Sequence, residues 1–490
     1  MTISFNQIPA GIRVPLFYAE FDNSRAVQGS PVQPHKVLMI GSRIAAGTVA
    51  AEVPTLVTSP EQAVEYFGAG SLLADMARKF LEGNRTQALT CVALDDLLAG
   101  VQATGKIAFG GAPTKAGVAS FMIGGRNIQI GVSTTDTPAT LATALAAAIQ
   151  ADTLCVVSAA VNGVNTNEVD LTAKNKGTHG NEIDLRHSYF AGESLPAGVT
   201  VTFTVMANGA GNPDVDDVWP VIGDTQYLSV VVPYTDAQTI GKVEAQLALR
   251  FGPLKMNDGY GIYGKRGTLS ALISLGDSRN SVFTTIMSAL GPSSPWQFAA
   301  ALAAQIAASA EIDPARPFQT LPMVGIFAPK ESELFTLQER DLLLHDGIST
   351  FMVDSGSNVL VEGVVTTFQE NAFGSPDTSY LYLNTPLTLS LLRYQARARI
   401  TSKYGRHKLA NDGTRFGAGQ AIVTPNVIKA EFIALFREWE ENGLVENFDQ
   451  FKADLIVERN ASNPNRVDVL LPPDLVNQLI VVGTKIQFLL

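Results

Sequence analysis

The sequence predicts an α/β protein: a parallel-sheet core, interrupted by a β-rich insertion and completed by a C-terminal α+β domain. Two observations carry this expectation. Short apolar runs of buried-strand type alternate with helical segments both before and after the middle of the chain, which is the pattern of a parallel sheet covered by helices. Between residues 98 and 211 the texture changes to Gly, Thr, Asn and short β-type runs, as an inserted domain would read.

Residues 1–34 carry Pro9, Pro15, Pro31 and Pro34 around a single apolar run, a composition that suits an extended arm. From His35 the core begins. KVLMIG is a buried-strand run, TSPEQAVEYFG opens a Ser-capped helix, SLLADMARKFLEGN keeps helical spacing to Gly83, and ALTCVALDD is a second buried strand. The insertion supplies KIAFGG, VASFMIGGRNIQIGV, CVVSAAV and VTVTFTVM, with an alanine-rich helix capped at Thr137 and led by Pro138. The α/β pattern resumes at TQYLSVVVPY and continues through a helix over 236–251, the strand YGIYG, SVFTTIM and the helix WQFAAALAAQIAASAEI.

In the last third the charges segregate. Residues 393–415 hold Arg393, Arg397, Arg399, Lys403, Arg406, Lys408 and Arg415 against Asp412. Residues 429–458 reverse the sign, with Glu431, Glu438, Glu440, Glu441, Glu446, Asp449, Asp454 and Glu458 against three cations. Two faces of opposite sign result, unless these are simply solvated helix faces. The chain closes on LIVVGTKIQFLL, an apolar β-type run that needs a partner strand to cover it.

Composition excludes several function classes. The 490 residues suffice for two to four domains with full cores. Charged residues are 17% of the chain against about 25% in an average soluble domain, so much of the surface is expected to face other protein. A net charge of −11 argues against coating DNA or an anionic membrane. Cys91 and Cys155 lack the paired spacing of a zinc or redox motif and read as buried thiols in a reducing compartment. No signal peptide is expected at MTISFNQIPAG, and no apolar run is long enough to span a bilayer.

Catalytic motifs fail on context. Gly259, Gly261 and Gly264 fit G-x-G-x-x-G, but that fingerprint must follow a buried strand and open a helix, and FGPLKMND precedes it here. THGNEIDLRH clusters His179, Glu182, Asp184 and His187, yet its spacing is loop-like and no nucleophile adjoins it. On YQARARITSKY, Arg399 and Lys403 lie four apart and share a helix face, from which Arg397 is offset. Such a basic face without a phosphate cradle suits an acidic protein partner.

Long strings of the chain go beyond such motifs: IPAGIRVPLFYAEFDNSRA, GTLSALISLGDSRNS, PWQFAAALAAQ, DPARPFQTLPMVGIFAP, and nearly everything from Leu343, including LLHDGISTFMVD, VVTTFQENAFGSPDTSYLYLNTPLTLSLLRYQARARITSKYGRHKLANDGTRFGAGQAIVTP and the closing VENFDQFKADLIVERNASNPNRVDVLLPPDLVNQLIVVG. In these the chain resembles the contractile tail sheath proteins of Mu-like bacteriophages. Residues 98–211 carry no comparable match and are expected to be the variable outer part.

The resemblance implies a non-enzymatic virion subunit without cofactor or metal, assembled in the host cytoplasm. Its subunits would stack as sixfold rings around a tail tube and contract on a baseplate signal to drive the tube through the host envelope for genome ejection. Partners would be further copies of the chain, the tail tube protein, and baseplate and tail terminator proteins, with neither nucleic acid nor membrane insertion. The core would have a subtilisin-like layered sheet without that protease's catalytic constellation. The expected division is 1–34 N-terminal arm, 35–97 with 212–375 α/β core, 98–211 insertion, 376–476 C-terminal α+β domain and 477–490 C-terminal arm strand. Val14, Leu16 and Phe17, with Ile480, Val481, Val482, Ile486 and Phe488, are expected to form inter-subunit strands, or else ordinary edge strands within the chain. Arg393, Arg397, Arg399 and Lys403 are the candidate tube contact, the alternative being a contact within the sheath with the acidic helix KAEFIALFREWEE. The other readings are a sheath of a phage-derived bacteriocin or injection particle, and an α/β hydrolase.

Overall fold

The structure, a computed structural model, describes residues 17, 19, 31–417 and 419–489. Two compact units divide the chain: residues 34–390 with 477–489, and residues 391–476 with the described residues before 34.

The larger unit is built on an eight-stranded sheet. Its spatial order is Val359–Gly363, Ile348–Val353, Thr284–Ala289, Tyr260–Arg266, Ser229–Val231, Val37–Ser42, Leu89–Leu94 and Thr55–Val57. All the inner neighbours run parallel, and each edge is closed by an antiparallel strand. The runs VLMIGS and TTIMSA are buried at every position, as strands sandwiched between layers must be. The helices begin where side chains can satisfy the free N–H groups of a first turn. Ser59 accepts from Gln62 N with Pro60 at the first position, Ser71 accepts from Ala74 N, and Asp236 accepts from Thr239 N. The helix Pro295–Ile312 is buried almost all round, which its Ala-rich sequence allows by letting neighbours approach closely.

Residues 102–207 form two further antiparallel sheets in the same unit. One has the order Thr200–Ala207, Gln102–Gly110, Glu168–Lys176, Val157–Val161; the other is Arg126–Val132, Gly117–Ile123, Leu185–His187. The strand Glu168–Lys176 alternates half-buried and buried residues along its whole length, the signature of a sheet with one face on a core. The helix Pro138–Ala151 packs on these sheets and starts at the Thr137–Thr140 capping box.

The smaller unit holds most of the helix Asn384–Tyr404, with Pro425–Glu441, Phe448–Asp454 and three short strand pairs. Its core gathers Leu435, Phe436, Trp439 and Phe451, with the rings of Phe436 and Phe451 stacked 3.9 Å apart. Trp439 Nε1 donates to Gln395 Oε1 at 2.7 Å, tying the two long helices. The terminal run expected to be β-type has no regular secondary structure over 477–489. A strand is a pairing, and among the described residues this segment has no strand beside it.

Candidate functional site

In an open α/β sheet the ligand crevice lies beyond the carboxyl ends of the strands, where the strand order reverses. Here that point falls between Val37–Ser42 and Ser229–Val231: Leu89–Leu94 adds on one side, and the later parallel strands on the other. The crevice is filled with protein. Ser42 Oγ lies 2.8 Å from Tyr234 OH, both buried. His179, from the insertion, packs edge-on against Tyr234 and Trp296 with ring centroids 5.8 Å away. The space left beside His179, Asn175 and Trp296 is about 10 Å³, room for about one water. Asn175 locks the insertion in place: its amide donates to Arg43 O at 2.8 Å and its Oδ1 accepts from Leu72 N at 2.8 Å. Burial pushes the His179 imidazole down to about 4, and its Nδ1 has no hydrogen-bond partner. His35 is pushed down to about 3 by the same cause and meets Ser229 Oγ through Nε2 at 2.8 Å. Both rings are therefore neutral wedges at pH 7.

The other members of THGNEIDLRH diverge. Glu182 pairs with Lys265, and Asp184 with Arg186, whose guanidinium also holds Glu333 at 2.9 Å. His187 stacks on Phe203. Among the described residues no group of three or more His, Cys, Asp or Glu could hold a metal ion. The G-x-G-x-x-G glycines serve close packing. A Cβ on Gly264 would stand 1.9 Å from Pro295 O, and one on Gly259 would stand 2.5 Å from Tyr227 O.

Apolar surface concentrates elsewhere. Val481 is 81% exposed, Ile486 84% and Phe488 78%, and Leu479, Ile480 and Val482 lie on the same exposed segment. Gln319 Nε2 donates to Leu479 O at 3.2 Å at the start of the segment. At the other end of the chain Phe17 is exposed, while Val14 and Leu16 lie outside the described residues.

The basic helix face is engaged by its own chain. Arg399 pairs with Glu431 Oε1 at 3.1 Å and with Glu438, both on the helix Pro425–Glu441. Lys403 Nζ reaches the same Glu431 oxygen at 2.5 Å, and Tyr404 OH donates to Oε2 at 3.1 Å. Burial alone would raise the Glu431 carboxyl, yet Lys403, Tyr404 and Arg399 together hold it below the usual carboxylate range. Arg393 is half-buried and Arg397 exposed. Of the four cations, Arg399 and Lys403 are thus matched to acids about 30 to 40 positions later, and Arg397 and Lys403 are exposed. Their spacing in the sequence could not reveal that division, although the opposite charge of the later helix signalled a possible match.

Residues 208–367 match the family model described as phage tail sheath protein central domain, and residues 375–488 match the phage tail sheath C-terminal domain. Over 491 aligned residues, covering the whole of both chains, the sequence is 45% identical to the Mu-like prophage FluMu tail sheath protein of Haemophilus influenzae. The fold is similar to that of the sheath tail protein from Desulfitobacterium hafniense, at 12% identity and TM-score 0.50, covering 94% of this chain and 97% of that one. It is also similar to the PVC sheath complex of an extracellular contractile injection system in its contracted state, at 9% identity and TM-score 0.50, covering 97% of each.

Proposed function

The chain belongs to the phage tail sheath family, whose members are structural virion proteins, and from that premise we propose how it works. Copies polymerise as stacked sixfold rings around a tail tube and contract to drive it through the host envelope for genome ejection. Assembly takes place in the host cytoplasm, with baseplate proteins at one end and a terminator at the other. The core is a subtilisin-like layered sheet put to structural use.

The observation that carries this reading is the exposed apolar segment 479–489, which has no partner strand among the described residues. We read it as a strand donated to a neighbouring subunit, with Ile480, Val481, Val482, Ile486 and Phe488 facing the acceptor, and with Val14, Leu16 and Phe17 adding from the other terminus. Main-chain hydrogen bonds in such an added strand hold neighbours together while the linkers bend. Energy for contraction then comes from interfaces summed over many copies, without a cofactor. The tube contact is assigned to the helix bearing Arg393, Arg397, Arg399 and Lys403. Since Glu431 and Glu438 already pair with Arg399 and Lys403, Arg397 supplies an exposed charge there that neither of those acids engages.

Negative-stain electron microscopy of the purified chain, alone and with tube protein, tests the proposal. Hollow striated cylinders are the expected result. Monomers that persist even with tube protein present would contradict it.

A further inference from the structure

We propose that the loop 369–377 is an assembly surface that seats Phe373 of each copy against a basic segment of a second copy, an inference that rests on the sheath reading above. Phe373 is 93% exposed. A lone exposed apolar side chain is ordinary on a protein surface, and what sets Phe373 apart is the loop that holds it. Asn371 Oδ1 accepts from Phe373 N at 2.9 Å and Ser375 N at 3.2 Å, Asn371 N donates to Ser375 O at 3.0 Å, and Gly374 N donates to Asn371 O at 2.9 Å. Gly374 takes a φ of +72°, which an L side chain rarely adopts. The base of the loop is pinned as well. Asn280 Oδ1 accepts from Gln369 N at 2.9 Å and from Glu370 N at 3.2 Å, its Nδ2 donates to Glu370 O at 2.8 Å, and Asp377 N donates to Gln369 O at 2.8 Å.

An aromatic side chain displayed on a loop already fixed by its own hydrogen bonds loses little further conformational freedom when it is buried in a partner. Those are the properties of an interface anchor. The rim of the loop selects the partner. Glu370 is exposed, and its carboxylate lies beside the tip, 4.0 Å from where a Cβ on Gly374 would stand. The chain carries the complementary surface itself: Arg406, Lys408 and Arg415 are exposed on one short segment with Phe416 beside them, 46% exposed. A charge-matched, apolar-centred contact between the two surfaces can repeat from copy to copy, as a lattice requires.

The test uses the full chain under the conditions in which wild type forms sheath. Phe373→Ala should leave the melting temperature of the monomer unchanged and raise the critical concentration for polymerisation at least tenfold. Glu370→Lys should weaken polymerisation, and adding Lys408→Glu should restore part of it. With p-benzoylphenylalanine in place of Phe373, irradiated sheath should yield a cross-link to the 405–417 segment of a second copy. Normal polymerisation of Phe373→Ala beside a polymerising wild type would overturn this inference while leaving the sheath reading intact, as would cross-links to tube protein alone. Cross-links elsewhere on a second copy would overturn the pairing with the basic segment. Failure of wild type to form sheath with or without tube protein would instead remove the reading on which the inference rests.

Discussion

Two segments of this chain are nearly the same as sequences and opposite as structure. Residues 37–41 read VLMIG and residues 479–483 read LIVVG. The first lies between parallel partners on both sides, with Val37, Leu38, Met39 and Ile40 at 0% exposure. The second has no partner strand among the described residues, and Val481 and Val482 stand 81% and 72% exposed. An apolar run therefore states that a segment must be covered, not by what. In residues 37–41 the cover comes from the same chain; in residues 479–483 we propose that it comes from the next copy.

Charge placed in each segment should break the two in different ways. Met39→Asp buries an unpaired carboxylate in the middle of the sheet and should cost at least about 4 kcal/mol, enough to leave little folded protein by circular dichroism. Val481→Asp should change monomer stability by less than about 0.5 kcal/mol while abolishing sheath formation by electron microscopy.

A pH titration sharpens the contrast. His179 and His35 have folded-state values near 4 and 3, below the ordinary 6.5, so on acidification the unfolded chain takes up protons that the folded chain refuses. Their contribution is intact above pH 6.5 and is lost as pH falls from there toward 4 and then 3, on the order of 3 kcal/mol for His179 and 5 kcal/mol for His35. Thermal unfolding of the monomer should therefore show a declining melting temperature between pH 6.5 and 4.5. His179→Leu should flatten that slope, whereas removing residues 479–490 should not alter it.

Smaller effects belong to the charged helices and the helix caps. Arg399→Ala leaves Glu431 with Lys403 and Tyr404 but takes a partner from Glu438, and should cost about 1 to 2 kcal/mol in urea unfolding. Thr137→Ala removes one half of a capping box on the insertion's helix and should cost about 1 kcal/mol in the same measurement.

Local signals are legible where the physics is local. Thr137–Pro138 marks the start of a helix, Ser59–Pro60 marks another, and VLMIGS announces a strand buried on both faces. The long family-like strings point to a sheath by themselves. Pairings across the chain cannot be read in the same way. The antiparallel edge strand Thr55–Val57 is three residues long, too short to carry a period. His179 looks like part of a polar cluster in THGNEIDLRH, yet the fold carries it into the sheet's switch point as an apolar wedge, a role set by strands far from it in sequence. Phe373 sits in a string, NAFGSPD, whose turn residues announce a loop but not that its aromatic ring faces outward.

If residues 479–490 are a strand that only a neighbouring copy can complete, their removal must separate folding from assembly. Sedimentation velocity and electron microscopy of the chain with and without these residues, at matched concentration and with tube protein present, make that separation visible. The truncated chain should stay a folded monomer with an unchanged melting temperature while the full chain forms striated cylinders. Cylinders of normal length and diameter from the truncated chain would contradict the donated strand.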